Sequence, residues 1–168
     1  MVIPTAVLRP RPDTGRGLSY RPCVGVMLVN HKGLVFVGRR RDGDGQAWQM
    51  PQGGIDEGER PIEAAKRELW EETGIRHAHV IAESRAWHRY DLPVDLVGKV
   101  WQGRFRGQVQ KWVAMGFDGV DSEIDLNAHE AEFEDWRWVP MAALPTRAIA
   151  FKRDIYRSLS EEFAVLGC

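Results

Sequence analysis

The N-terminal half of the chain opens with an alternation of apolar and small residues that is typical of paired strands. Apolar side chains recur through residues 24–28, residues 30–33 (NHKG) form a turn sequence, and residues 34–37 make a second β-rich run. Two such runs joined by a short polar turn are the usual pattern of a β-hairpin. The sequence therefore predicts a hairpin, with the folded part of the chain beginning near Tyr20.

Residues 61–73 carry the clearest helix pattern in the chain. Pro61 stands at a first helical position, and Gly74 follows directly after the last residue of the pattern. Proline is favoured at the start of a helix and glycine just past its end. The glycine-rich segment 53–58 precedes this helix, so we expect a loop there.

The second half of the chain alternates strand-like and turn-rich segments. Residues 80–87 and 108–117 are predicted strands, and residues 136–139 are a short third one. Eight acidic residues and no Lys or Arg occur between residues 118 and 135, which favours an exposed loop. Prolines 140 and 145 flank a predicted helical turn.

The last segment is predicted to be an amphipathic helix that packs on the sheet. Its apolar residues are spaced by four, four and three positions, which places them on one helical face. They are Ile155, Leu159, Phe163 and Leu166. No repeat or change in composition divides the chain, so we predict a single domain over residues 20–168 and a flexible N-terminal arm, rich in Pro, Gly and Arg, over residues 1–19.

Composition narrows the class of protein. The chain has 168 residues and a net charge of −1, from 23 Lys and Arg against 24 Asp and Glu. This balance excludes a protein that coats nucleic acid through a global positive field, so any recognition of phosphate must be local. Two cysteines, Cys23 and Cys168, are too few for a disulfide framework. No apolar run approaches the ~18 residues of a membrane helix, and we expect a reducing, cytoplasmic setting.

Three glutamates on the predicted helix are candidates for metal binding. Glu68, Glu71 and Glu72 have i, i+3, i+4 spacing, so their carboxylates lie within an arc of roughly 100°. Apolar residues on the adjoining arc should hold this cluster near the protein surface. Hard oxygen ligands suit Mg²⁺ or Mn²⁺, which in turn bridge phosphate oxygens. Three glutamates alone would favour a solvated acidic helix face over a metal site.

The residues around the glutamates decide between these interpretations. Residues 53–75 read GGIDEGERPIEAAKRELWEETGI, in which a fixed set of positions resembles the Nudix box of Nudix hydrolases. The matching residues are Gly53, Glu59, Arg67, Glu68, Leu69, Glu71, Glu72, Gly74 and Ile75. Glycines 53 and 58 would let the loop bend tightly and bring backbone carbonyls near a metal. Glu59 can pair with Arg67, and we assign both a structural role.

The resemblance implies an α/β fold, the Nudix fold, which is an α/β/α sandwich with a mixed β-sheet. It also implies that the three box glutamates, together with Gly53, ligate Mg²⁺ ions, with Mn²⁺ as a substitute. Such ions polarise a pyrophosphate and activate water for attack on phosphorus. The expected activity is hydrolysis of a phosphoanhydride bond.

Stretches outside the box resemble one subgroup of the family, the bacterial RNA pyrophosphohydrolases, which also cleave dinucleoside polyphosphates such as diadenosine tetraphosphate. These stretches are residues 20–22 (YRP), 48–55 (WQMPQGGI), 89–93 (RYDLP), 108–112 (QVQKW), 132–139 (EFEDWRWV) and 151–156 (FKRDIY). The expected substrate is a nucleotide polyphosphate or an RNA 5′ end. No membrane contact and no obligate protein partner is implied.

Candidate substrate-binding residues come from these stretches and, for Arg40, from a cation that could clamp a polyphosphate. Cationic and amide side chains would hold the polyphosphate, and the Tyr90 and Phe151 rings resemble the pair that stacks on a base. The full set is Arg21, Arg40, Tyr90, Gln110, Lys111, Phe151 and Lys152. Glu132 matches a further metal-binding or general-base glutamate, so the candidate catalytic residues are Glu71, Glu72 and Glu132. Either Glu72 or Glu132 could accept the proton.

Two other functions are alternatives to this one. A Nudix enzyme that sanitises the nucleotide pool or hydrolyses nucleotide sugars would share the box but not the stretches outside it. A catalytically silent nucleotide-sensing module should lack one or more of the box carboxylates. All of them are present, which favours an enzyme.

Overall fold

The structure is a computed structural model that describes residues 17–43, 45–129 and 131–168. Most of the predicted N-terminal arm, residues 1–16, lies outside the described residues. The strands are β1 (Ser19–Asn30), β2 (Leu34–Arg40), β3 (Trp48–Gln49), β4 (Gln52–Gly54), β5 (Ala78–Glu83), β6 (His88–Asp91), β7 (Phe105–Phe117) and β8 (Phe133–Pro140). The α-helices are α1 (Pro61–Thr73), α2 (Leu144–Arg147) and α3 (Arg153–Glu162).

The described strands form one mixed sheet around a long parallel pair. Strands β1 and β7 run parallel from Ser19 opposite Phe105 to Asn30 opposite Phe117. Antiparallel β2 and β4 border β1, while antiparallel β5 and β6 border β7. Strands β3 and β8 both pair with β2. The sheet is mixed, as predicted.

Helices cover both faces of the sheet, which confirms the predicted α/β/α sandwich. Side chains alternate between the faces of a strand, so β1 contributes to two separate cores. On one face Val24, Val26 and Leu28 pack with Ala65 and Leu69 of α1. The other core contains Met27 and Trp112, together with Ile155, Tyr156 and Leu159 of α3. Burying each such large apolar side chain contributes roughly 1.5–3 kcal/mol.

Several elements match their predicted bounds. Strands β1 and β2 form the predicted hairpin, and Gly33 in its turn has a φ of 76°. Helix α1 begins at Pro61 and ends before Gly74, as expected. The C-terminal apolar stripe faces the core, where Ile155, Leu159 and Phe163 are buried and Leu166 is partly buried.

Two predicted boundaries were wrong. The strand predicted over residues 80–87 ends at Glu83 as β5, and a separate strand, β6, begins at His88. The predicted acidic loop ends earlier than expected, because β8 already begins at Phe133. That ring is fully buried, and its residue pairs with Arg40 of β2, so the last two acidic residues of the segment lie within the strand. No helix in the described part of the chain is long and apolar enough to cross a membrane.

Candidate active site

Helix α1 presents its carboxylates from a well-defined platform. At its start the Arg60 backbone N–H donates to the Glu63 side chain at 3.2 Å. At its end Gly74 has a φ of 74° and donates its N–H to the Trp70 carbonyl at 2.8 Å. Glycine tolerates this left-handed conformation, which other residues rarely adopt. Both ends of the helix are therefore fixed by local contacts, as the sequence predicted.

Arg67 ties the helix to the preceding loop through several contacts at once. Its guanidinium lies 2.8 Å from the Glu59 carboxylate, which is the ion pair expected from the sequence. It also donates to the Gly54 carbonyl at 2.8 Å and contacts Glu68 at 2.8 Å and Glu71 at 3.3 Å. The planar fork of arginine suits such multiple contacts. Arg67 thus holds loop, helix and two candidate metal ligands in one arrangement.

Gly53 is required for a different reason than the sequence suggested. It lies in strand β4 rather than in a tight bend, and the turn before the helix is made by Gly58, which has a φ of 79°. A Cβ atom at Gly53 would overlap the Glu68 carboxylate. A side chain here would displace the Glu68 carboxylate, so glycine lets the Gly53 backbone lie directly beside this candidate metal ligand.

Glu72 is buried, and the expectation of a carboxylate cluster at the protein surface was wrong for this residue. Its side chain is 1% exposed, and neither carboxylate oxygen makes a well-formed hydrogen bond among the described residues, although the Glu132 side chain and the Gln52 backbone approach it. Burial, followed by the charges of Glu132 and Glu68, raises the pKa of Glu72 well above its usual value. Burial likewise raises the pKa of Glu68 to about 7, against the opposing effect of Arg67. Packing of α1 against β4 causes this burial, which helical spacing cannot reveal.

These carboxylates fit a divalent cation, although they are not already arranged around one. Within the described ranges, no three His, Cys, Asp or Glu side chains form a ready metal-binding group. Arg67 instead engages Glu68 and Glu71. Burying carboxylates without a partner is costly, and Glu72 has its two oxygens unsatisfied while Glu132 repels it. A cation among these side chains would remove that cost, and oxygen donors are what Mg²⁺ prefers.

A cavity of about 640 Å³ opens beside the carboxylates. Its lining combines acidic side chains with cations and aromatic rings. The predicted site residues among its lining are Arg21, Arg40, Gly53, Glu68, Glu71, Tyr90, Glu132, Phe151 and Lys152. These residues, which the sequence resemblance had grouped, come from β1, β2, β4, β6, α1, the segment before β8 and the C-terminal segment.

Lys152 is the most deeply buried cation of the cavity wall. Its side chain is 6% exposed, and its ammonium group donates to Gln49 at 3.4 Å and to Gln52 at 3.2 Å. Burial, followed by the nearby positive charge of Arg40, lowers the pKa of Lys152 to about 8. An anionic ligand in the cavity would therefore supply the counter-charge for the Lys152 ammonium group, which forms no ion pair among the described residues.

Tyr90 and Phe151 come together in the cavity, but as rings in direct contact. Their centroids are 5.2 Å apart and their planes are inclined by 39°. A base inserted between two rings needs about 7–8 Å, because each layer takes 3.5–4 Å. A base would therefore stack on an outer face of this pair, unless the rings separate.

Neither Gln110 nor Lys111 is among the residues that line the cavity. They are neighbours on β7, so their side chains point to opposite faces of the sheet. Lys111 is not among the lining residues, and its ammonium group lies 5.9 Å from the centroid of the Trp87 ring. Gln110 lies behind the lining and donates to Gln108 at 2.7 Å.

Sequence reasoning missed three amides in the cavity wall. Gln49, Gln52 and Gln108 all line the cavity and are at most 8% exposed. The signal was present in the sequence, because Gln108 and Gln110 alternate along a strand and two further glutamines flank Pro51. Alternation on a strand places such residues on one face.

Comparison with known proteins places this site in a family. The NUDIX domain profile matches residues 19–159. A protein of Roseobacter denitrificans named RNA pyrophosphohydrolase is 54% identical over 154 residues, covering 90% of this chain and 96% of that protein. One of the same name from Novosphingobium aromaticivorans is 57% identical over 155 residues, with 90% and 96% coverage.

Solved structures agree on the fold. The Escherichia coli dihydroneopterin triphosphate pyrophosphohydrolase is similar with a TM-score of 0.68 at 19% identity, covering 85% of this chain and 98% of that one. A Caenorhabditis elegans Ap4A hydrolase is similar with a TM-score of 0.64 at 18% identity, covering 86% and 98%. Taken with the family match over residues 19–159, these similarities establish that the chain belongs to the Nudix hydrolase family.

Proposed function

We propose that this protein is a Mg²⁺-dependent pyrophosphohydrolase that removes pyrophosphate from 5′-triphosphorylated RNA. One observation carries the proposal: a single cavity is lined by the carboxylates of Glu68, Glu71 and Glu132 together with the cations Arg21, Arg40 and Lys152. Carboxylates serve a divalent cation and the cations serve phosphate oxygens, so the arrangement suits a polyphosphate chain. The name shared by relatives at 54% and 57% identity supports RNA as the substrate.

The cationic side of the cavity would orient the polyphosphate. Arg21 stacks over the Trp101 ring with 5.6 Å to its centroid, which holds the guanidinium at the cavity rim. Arg40 is paired with Asp42 at 2.7 Å, so it can turn toward substrate only by sharing or leaving that partner. Lys152 lies deepest and makes weak contacts to neutral amides. We expect Lys152 to hold the innermost phosphate and Arg21 an outer one.

The carboxylates of the site would bind the metal and activate the attacking water. Glu68, Glu71, Glu72 and Glu132, with the Gly53 carbonyl, are the groups we assign to metal binding. Bound Mg²⁺ supplies charge neutralisation and polarisation of the phosphoryl oxygens. Arg67 keeps the helix carboxylates in place through its contacts to Glu59 and Gly54.

Glu132 is our candidate for the residue that accepts a proton from the attacking water. It lies directly before β8 and its backbone carbonyl accepts from the Arg41 N–H at 3.0 Å, which fixes the backbone beside the cavity. Glu132 lines the cavity, whereas Glu72 is closed off from it and is better placed to hold a cation from below. A positioned general base typically contributes ~10²–10⁴-fold.

A side-by-side assay tests the proposal. Pure protein with Mg²⁺ is offered 5′-triphosphorylated RNA, diadenosine tetraphosphate, oxidised dGTP and ADP-ribose, and phosphate products are quantified. We expect pyrophosphate release from RNA, slower cleavage of the dinucleotide and loss of both with a chelator. Preference for oxidised dGTP or ADP-ribose would identify a pool-sanitising or nucleotide-sugar enzyme, and no turnover of any substrate would identify a sensing module. With an RNA substrate, we place the proposed activity in the cytoplasm.

A further inference from the structure

A row of buried amides lies beneath the cavity and is anchored at one end by an indole. The Trp112 Nε1–H donates to Gln110 Oε1 at 3.0 Å, and Gln110 Nε2 donates to Gln108 Oε1 at 2.7 Å. Trp112 is fully buried and Gln110 is 1% exposed. The row thus runs from the core to the cavity wall without reaching solvent until Gln108.

The indole fixes the direction of every amide in the row. An indole N–H can only donate, so the Gln110 oxygen must face it and the Gln110 nitrogen must face the other way. That nitrogen in turn requires the oxygen of Gln108. Reversing the Gln110 amide would set two N–H groups against each other in a buried place, where unmade hydrogen bonds are costly.

The ring cannot turn to relieve this constraint. A Cβ atom at Gly25 would overlap the Trp112 ring, so the indole lies directly on the β1 backbone. On the other side Tyr156 packs edge-on, with centroids 5.8 Å apart and planes at 84°. Trp112 is therefore held in one orientation.

The same direction extends to the other amides of the cavity floor. Gln52 Oε1 accepts from Gln110 at 3.4 Å and from Lys152 at 3.2 Å, and Gln49 Oε1 accepts from Lys152 at 3.4 Å. The Gln52 Nε2 also donates to Gln108 Oε1, at 3.5 Å, which leaves it one further N–H to offer. The Gln49 Nε2 is buried and has no partner among the described residues.

We propose that Trp112 is a positioning residue whose N–H orients the glutamine row, so that the cavity floor presents donors and binds acceptor atoms of the substrate. This inference rests on the proposed function and deepens it. The floor is defined by Gln49, Gln52, Gln108 and Lys152. Acceptor atoms can come from a base carbonyl or from phosphate oxygens. A base that carries an amino group instead of the carbonyl would place its own N–H donors against the donors of the floor.

Two variants test the orientation directly. Trp112→Phe removes the N–H, and Gln110→Met breaks the row with a side chain of similar size. In both, Gln108 is free to turn its oxygen toward the cavity. Trp138→Phe is the matched control, because its Nε1 donates to Asp121 at 2.9 Å on the opposite face of the sheet. Circular dichroism of each variant checks that it is folded.

Binding is measured by calorimetry with a chelator present, so that turnover does not interfere. The probes are inorganic tripolyphosphate and two 5′-triphosphorylated dinucleotides that differ only in guanine or 2,6-diaminopurine, which exchanges a carbonyl for an amino group. Failure of the proposed function would appear as absence of hydrolysis by the unmodified protein, independently of this result.

The outcomes separate the two sources of acceptor. If the floor binds a base carbonyl, the unmodified protein and Trp138→Phe prefer guanine by roughly 10-fold, and the two test variants lose that preference. If it binds phosphate, no base preference exists and tripolyphosphate binding weakens roughly 10-fold in both test variants alone. Unchanged binding of all probes, or equal weakening with the base preference retained, would overturn the proposal.

Discussion

Replacing Lys152 with methionine should stabilise the protein at neutral pH while weakening its hold on substrate. The folded-state pKa of about 8 lies below the ordinary value of 10.5, because the charged side chain is desolvated. At about 1.4 kcal/mol per pKa unit, keeping Lys152 charged at pH 7 costs about 3 kcal/mol. Lost donors to Gln49 and Gln52 offset about 1–2 kcal/mol of this gain.

The pH dependence gives the sharper signature. Between pH 8 and 10.5 the unfolded chain retains the proton on Lys152 while the folded protein releases it, so the stability of the unmodified protein rises with pH in this window. Lys152→Met has no side chain that titrates there, so its stability does not rise with pH in this window. Its advantage at pH 7 should therefore shrink by about 2 kcal/mol by pH 9.5.

Urea unfolding at pH 7 and pH 9.5 measures both effects, and KM for triphosphorylated RNA at pH 7 measures the functional cost, which should be a rise of 10-fold or more. Lys32→Met, at an exposed turn position, is the control for titration of other groups. A stability difference that does not change with pH, or a variant less stable than the unmodified protein at pH 7, would refute the reasoning.

The remaining predictions concern the acidic side of the cavity and its supports. Glu71→Gln and Glu72→Gln should each lower kcat at least ~10²-fold, because each removes a metal ligand, while circular dichroism shows a folded protein. Tyr90→Ala should mainly raise KM, because it removes the ~1–3 kcal/mol of binding free energy that a stacked base contributes. Arg67→Lys should lower the free energy of unfolding by about 1–2 kcal/mol, since an ammonium cannot reproduce the forked contacts. Gly53→Ala should cost about 1–3 kcal/mol through overlap with the helix carboxylate beside it, and calorimetric titration should find weaker Mg²⁺ binding.

Contrary results would be informative in each case. Near-normal turnover of either glutamine variant at saturating Mg²⁺ would remove that carboxylate from the metal site. An unchanged KM after Tyr90→Ala would place the base elsewhere. Full stability of Arg67→Lys would mean that its four contacts contribute nothing beyond a point charge, and an unperturbed Gly53→Ala would show that the strand can move away from the helix.

Local signals in the sequence predicted the helix that carries the site but not how deeply its carboxylates are buried. Helix α1 was predictable because Pro61 and Gly74 act on their immediate neighbours. The ion pair of Arg67 with Glu59 was predictable because Glu59 directly precedes the helix that carries Arg67. The burial of Glu72 depends on how closely β4 approaches. No periodicity within the helix carries that information.

The cavity wall shows the same limit. Gln110 and Lys111 stand together in the sequence, yet the pleat of β7 sends them to different faces, which their strand position alone could have indicated. Contact between Tyr90 and Phe151 joins β6 to the C-terminal segment. The resemblance had named these two rings as a pair, but their direct contact is set by packing, so only the three-dimensional structure reveals it.

The parallel pairing of β1 with β7 has a consequence for how the site comes into being during synthesis. Ser19 pairs with Phe105 and Asn30 with Phe117, so the centre of the sheet can form only after β7 has been synthesised. Lys152 leaves the ribosome later still. Contacts between segments this far apart in the chain form slowly, because loop closure costs entropy before any contact rewards it. A nascent or prematurely terminated chain can already contain the whole box helix. Such a chain would have the carboxylates of the site but would lack Lys152 and the rest of the cavity lining that follows in the sequence.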